Sequence, residues 1–126
     1  MPAAIVTQGK TSIRDALKTL ITHVGVSEDS TAFSAAHTTI DPAGDVAASR
    51  LIKASTEVDV DASTFDATMT ITGSTEFTGK TIRTVSILGG ATRADILTRT
   101  VRSGPIGVQA GDVFTIGVRV AVEDNS

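Results

Sequence analysis

The chain has 126 residues, 40% of them hydrophobic and 20% charged, with a formal net charge of −3 and no cysteine. That length and balance suit one domain around one core rather than a disordered chain. Without cysteine, disulfides, zinc–thiolate centres and thiol nucleophiles are excluded; the slightly acidic balance offers nucleic acid no basic footprint, and no apolar run approaches the roughly 20 residues of a membrane span.

Met1-Pro2-Ala3-Ala4-Ile5-Val6-Thr7 lacks a charged segment followed by a long apolar stretch, so no signal peptide is expected. Residues 1–10 read as an N-terminal arm, and residues 11–126 as a single β-sandwich domain with an N-terminal helix. Pro2, Ala3, Ala4, Ile5 and Val6 are candidate partner contacts, because a short apolar segment without an intrachain period can add a strand to a neighbour's sheet edge. Thr11 or Ser12 is the expected helix cap, with Asp15 in an imperfect capping box. Ile13, Ala16, Leu17, Leu20, Ile21 and Val24 form one apolar stripe. The helix should end about Leu20, where Thr22-His23-Val24-Gly25-Val26 turns β-like. Residues 27–48, rich in Ser, Thr, Ala and Asp and broken by Asp41-Pro42 and Gly44, form a loop whose length suggests contact with a partner. Phe33, His37 and Asp41 are its candidate contact residues.

From Arg50 the period changes to two. Leu51-Ile52 begins a strand, and Val58 and Val60 alternate with Glu57, Asp59 and Asp61, acids expected to face solvent. Phe65, Ala67, Met69 and Ile71 alternate with Asp66, Thr68, Thr70 and Thr72 before a Gly73-Ser74 turn. In Ile82–Leu88 the apolar phase slips once, which predicts a bulge or a strand buried on both faces. Ile96–Val101 is the next strand. After the turn Ala110-Gly111-Asp112, residues Phe114, Ile116, Val118, Val120 and Val122 line one face, with Thr115, Gly117 and Arg119 on the other. Short strands between Gly, Ser and Asp turns predict a mainly β protein, an antiparallel β-sandwich of jelly-roll-like form with one amphipathic α-helix at its N-terminus.

Three stretches invite chemistry and fail its requirements. Gly73-Ser74-Thr75-Glu76-Phe77-Thr78-Gly79-Lys80-Thr81 has five residues between its glycines where a P-loop has four, and a strand pattern follows instead of a helix. Asp59, Asp61, Ser63 and Asp66 are spaced faintly like calcium ligands, but Thr64 and Thr70 stand where an EF-hand needs Gly and Glu. His23 and His37 are the sole histidines, too few for a transition-metal set, and no Gly-x-Ser-x-Gly elbow is present. No catalytic, cofactor or metal residue is therefore assigned, and the expected class is non-enzymatic.

The order of features carries a resemblance. An N-terminal helix precedes Thr22-His23-Val24-Gly25-Val26 and Thr31-Ala32-Phe33. The Phe65–Ile71 strand, Ile82–Leu88, Leu97-Thr98-Arg99 and Val108-Gln109-Ala110-Gly111-Asp112 follow. Over residues 11–122 this layout resembles small β-rich structural proteins of tailed bacteriophages, namely head-decoration (cement) and tail-fibre or tail-tip proteins. The resemblance implies a sandwich or jelly-roll-like fold, multiple copies on a virion and no catalysis. The absence of a long coiled coil or repeated β-helix points to a compact protein that binds and stabilises the phage head. Its expected partners are the major capsid protein or other virion proteins and copies of itself, with a trimer ahead of a dimer. No cofactor, small-molecule substrate, nucleic acid or membrane partner is expected, and the expected location is the virion after synthesis in the host cytoplasm. A tail, neck or fibre subunit is the alternative within this class. A carbohydrate-binding adhesion module is the alternative from another.

Overall fold

The computed structural model describes residues 4–123. A helix, α1 (Thr7–Leu20), is followed by seven strands: β1 (His23–Ser27), β2 (Arg50–Ala54), β3 (Thr56–Asp61), β4 (Thr64–Thr72), β5 (Thr81–Leu88), β6 (Ile96–Gly107) and β7 (Val113–Ala121). They form two antiparallel sheets, β2-β1-β5-β6 and β3-β4-β7, as the mainly β sandwich reading requires. A jelly roll has eight strands; the described residues provide seven in a four-plus-three arrangement.

The core lies between the sheets, where the period-two stripes meet. Phe65, Ala67, Met69 and Ile71 of β4 stand opposite Val120, Val118, Ile116 and Phe114 of β7, and pack against Val24, Val26, Ile82, Val85 and Ile87 of the facing sheet. Thr115, Gly117 and Arg119 are exposed, so the face assignment of the last strand holds. At the turn before it, Gly111 adopts a positive φ of 91°, a conformation that costs a residue with a Cβ.

The phase slip in β5 has two causes at once. Its pairing with β6 shifts register between Ile82 and Thr84, which turns Ile82 and Val85 to the same side. Beyond that shift β5 is buried on both faces: Thr84, Ser86 and Leu88 are buried as well, and the loop after β1 brings Asp29 O to the Thr84 hydroxyl and Ile40 beside Leu88. Ile40 of that loop seats directly over Gly25, where an added Cβ would lie 2.6 Å from Ile40 Cδ1 and 3.2 Å from Ile52 Cγ1. The bare glycine lets the loop approach.

Two local expectations are corrected. The helix begins at Thr7, inside the stretch read as an arm, with extended Val6 as its N-cap and Lys10 N–H bonded to Val6 O at 3.0 Å. No residue in 7–10 forbids a helix strongly enough to stop it. Thr11 is then mid-helix and donates its hydroxyl to Ala62 O (2.8 Å), while Ser12 donates to Gln8 O (3.1 Å), so neither caps. In β3, Val58 pairs with Asp66 on the outer face and is exposed, whereas Asp59 pairs with Phe65 and is reached by Lys18 (2.8 Å) and Arg14 (3.6 Å) of α1. Asp59, with its side chain 46% exposed, still faces solvent as expected; the correction is that Val58 and Val60 of this edge strand are exposed too, at 50% and 45%.

Candidate functional site

The loop between β1 and β2 holds most of the residues singled out for partner contact, and it is not loose. Its backbone has no sheet to join, and three arginines from outside donate to its carbonyls at Thr31, Ile40 and Asp41 and to its carboxylates. Arg99 on β6 is almost wholly buried; it donates to Thr31 O (2.7 Å), Ile40 O (3.2 Å) and Asp29 Oδ1 (3.2 Å). Arg93, in the β5–β6 turn, donates to Asp41 Oδ1 (2.6 Å) and Asp41 O (3.0 Å). Arg50 at the start of β2 bridges Asp41 Oδ2 (3.0 Å) and Asp45 Oδ1 (2.5 Å). Three cations thus match Asp29, Asp41 and Asp45, with the donors in planar forks suited to carboxylates.

The Asp29 carboxylate is doubly held. Burial pushes its pKa up, but hydrogen bonds from the Thr31 hydroxyl and from the Thr31 and Ala43 N–H groups, with Arg99 beside it, leave it below the usual carboxylate value. Asp45 is also lowered, chiefly by the hydrogen bond from Arg50. The hydroxyl of Thr84, on the same buried face as Arg99, donates to Asp29 O.

Asp41, expected as a contact residue, is 4% exposed and committed to Arg50 and Arg93; it holds the loop instead of presenting itself to a partner. Phe33 and His37 are brought together. The Ser34 N–H donates to His37 Nδ1 (3.3 Å) and the His37 N–H to Ser34 O (3.1 Å), closing a tight turn. Phe33 is 64% exposed beside it, and with Ile96, Leu97 and Thr98 of β6 the two line a cleft of about 390 Å³. Leu97 is also exposed. The tethered loop therefore presents an aromatic ring to solvent beside an aliphatic side chain of β6, over walls that carry hydroxyl groups.

The other predicted contacts lie apart. Pro2 and Ala3 fall outside the described residues; Ala4 and Val6 are exposed ahead of α1, and Ile5 is partly covered. The Asp59, Asp61, Ser63 and Asp66 group does not converge: Asp59 meets α1, Asp61 accepts from Ser63 N–H (2.9 Å), and Asp66 pairs with Arg119 on the outer face (2.9 Å). Among the described residues no cluster of three or more His, Asp or Glu is placed to hold a metal ion, and no helix is long and apolar enough to cross a membrane. In the P-loop-like stretch, the Gly73 and Gly79 N–H groups are spent on Asp112 O (2.7 Å) and Val108 O (2.8 Å), so the turn is closed on its own chain.

The arginine set was not legible as a site. Arg50, Arg93 and Arg99 sit 43 and 6 residues apart in polar surroundings, and an arginine alternating with threonines on a strand reads as solvent-facing. The one available signal was arithmetic, a loop with three aspartates and no lysine or arginine of its own. No protein-family model, curated protein or solved structure matches the chain.

Proposed function

We propose that the chain is a non-enzymatic virion structural protein, a decoration (cement) protein that binds the assembled head of a tailed phage and stabilises it. The carrying observation is the Phe33–Leu97 patch, apolar and exposed, with Phe33 on a loop fixed by Arg50, Arg93 and Arg99 and Leu97 on β6. A preordered surface loses little conformational entropy when a protein docks on it. A patch that binds only the assembled shell then stabilises that shell by mass action. Capsid subunits would meet Phe33, His37 and Leu97, with residues 2–6 as a second contact.

The test is co-sedimentation with particles of the phage that encodes the chain. Phe33→Asp, at an exposed position, should leave the circular dichroism spectrum unchanged and reduce occupancy at least tenfold. Deleting residues 2–5, which keeps the Val6 N-cap of α1, should weaken occupancy further. Full occupancy by Phe33→Asp would remove the patch from the interface. An exposed ring beside hydroxyl-bearing walls also suits stacking on a sugar, which favours the adhesion-module reading as the second. Binding to a glycan array, abolished by Phe33→Asp in a protein that ignores phage particles, would select it.

A further inference from the structure

The two sheets have four edge strands, β2, β6, β3 and β7, and three of them are protected. A bare edge offers unpaired N–H and C=O groups to any extended chain, and natural proteins blunt it with bulges, proline, short length or charge. Strand β2 has five residues, and its Lys53 crosses to Thr70 O (2.7 Å) of the facing sheet and to Glu76 Oε1 (2.9 Å). Strand β3 breaks register between Asp59 and Asp61, and Arg14 and Lys18 of α1 bind it. Strand β6 carries Pro105, and its pairing with β5 shifts twice. Strand β7 has none of these devices. It runs nine residues in unbroken register with β4, without proline or lysine, and its one charge, Arg119, is held by Asp66 on the outer face.

The ladder shows which main-chain groups β7 turns outward. The Gly73 N–H donates to Asp112 O (2.7 Å) at one end, and the Val122 N–H to Ser63 O (2.8 Å) at the other. Hydrogen-bonded pairs alternate along an antiparallel ladder. Phe114, Ile116, Val118 and Val120 therefore bond to β4, while Val113, Thr115, Gly117, Arg119 and Ala121 point their N–H and C=O groups the other way. Among the described residues no strand lies on that side. The facing sheet extends past it, because β1 lies over β4 and β5 over β7, which leaves β6 overhanging. Thr98 and Thr100 stand opposite the core residues Ile87 and Val85, so they face inward, yet both are exposed. Phe114, Val118 and Val120 are only half-buried for the same reason. On this side the sandwich is short of one strand.

We propose that this edge receives a single extended segment of a partner protein, which adds to β7 as a fourth strand beneath β6. The outward main-chain groups of β7 supply the affinity, and alternate side chains the selectivity. The segment turns apolar residues toward Phe114, Val118 and Thr100, and small or hydroxyl-bearing ones outward beside Thr115 and Gly117. The overhang decides the kind of partner. A second copy joining edge to edge would bring its own β5 to the place that β6 occupies, so two sandwiches cannot pair through β7. The segment therefore comes from a terminus or loop that belongs to no sheet. This proposal rests on the β7 edge alone, and the Phe33 test of the virion reading neither supports nor removes it.

The probe is a synthetic peptide of alternating threonine and valine with a lysine at each end, titrated to roughly 1 mM against the full chain. Binding should slow amide exchange at Thr115, Gly117 and Arg119 by about tenfold or more, and leave Ile116 and Val118, already bonded to β4, as they were. The same peptide N-methylated at its threonines, whose N–H groups would face β7, should not bind. Thr115→Pro removes an outward N–H that the fold does not use, a place where an edge strand tolerates proline. Thr100→Arg puts a charge beneath the overhang. Each variant should keep its circular dichroism spectrum and weaken binding by about tenfold or more. Absence of binding, protection that misses Thr115, Gly117 and Arg119, or full affinity in a folded Thr100→Arg would overturn the proposal. A chain that dimerises through β7 would overturn it as well.

Discussion

At the scale of single residues, the buried Arg99–Asp29 pair separates two kinds of charge in this protein. Arg119 and Asp66 meet at 2.9 Å on the outer face, but Arg119 is largely exposed, and solvent screens such pairs so that they contribute little. Arg99 is different, because its side chain is removed from water and three loop acceptors depend on it. Taking away one partner of a buried pair costs about 3–5 kcal/mol, since the other charge stays buried and unmatched. Arg99→Ala is therefore expected to lower the thermal midpoint by about 10 °C or more, with Arg119→Ala within a few degrees of the unaltered protein by calorimetry. Arg99→Lys should recover little of the loss, because one ammonium cannot reach Thr31 O, Ile40 O and Asp29 together in the planar geometry of a guanidinium.

At the scale of elements, β7 is the cleanest case of periodicity carried through to burial. Ile116 is buried opposite Met69 and Val118 is half-buried opposite Ala67, while Thr115 faces out opposite Thr70. A carboxylate placed on the inner face without a partner costs several kcal/mol, on the order of the 5–15 kcal/mol that holds a domain together. Ile116→Asp should leave no cooperative unfolding transition and Val118→Asp a much weakened one. Thr115→Asp should shift the urea midpoint only slightly. A larger loss from Thr115→Asp than from both others would mean the two faces are exchanged. Helix α1 shows the opposite situation. Its stripe was evident as a pattern, yet the pattern did not say which way the helix would roll, because Asp59, Asp61 and Ala62 far along the chain bind its polar side.

At the scale of the whole molecule, the carboxylates act together on acid stability. Asp29, Asp45, Asp59 and Asp66 all titrate below the ordinary value. The causes are respectively the Thr31 and Ala43 donors outweighing burial, the Arg50 hydrogen bond, the Lys18 hydrogen bond and the Arg119 hydrogen bond. A carboxylate whose pKa is lower folded than unfolded adds stability that is complete above the unfolded value and disappears as pH falls through the folded one. The denaturation midpoint should therefore start to fall below about pH 4 and keep falling toward pH 2. A midpoint unchanged down to pH 2.5 would show that these pairs add nothing.

The strands, their inward faces and the end of the helix were legible in the chain because each depends on local spacing. Phe65–Ile71 and Phe114–Val120 are stripes of period two, the phase slip at Ile82–Leu88 marks a real bulge, and His23–Ser27 follows the helix as its β-branched residues suggest. The start of the helix was not, since Thr7–Lys10 is polar without period and gains its order from the turns that follow. The exposure of Val58 and Val60 was not either, because alternation sets their side chains on one face but does not say that an edge strand leaves that face uncovered. The fixing of residues 28–45 by Arg50, Arg93 and Arg99 joins positions up to 70 residues apart, and the exposure of Phe33 follows from it. Spacing along the chain thus determined which residues could be apolar faces of strands and helix. Only the tertiary structure decided which faces were covered and which loop charges were neutralised, because burial and ion pairing depend on neighbours that the local pattern does not contain.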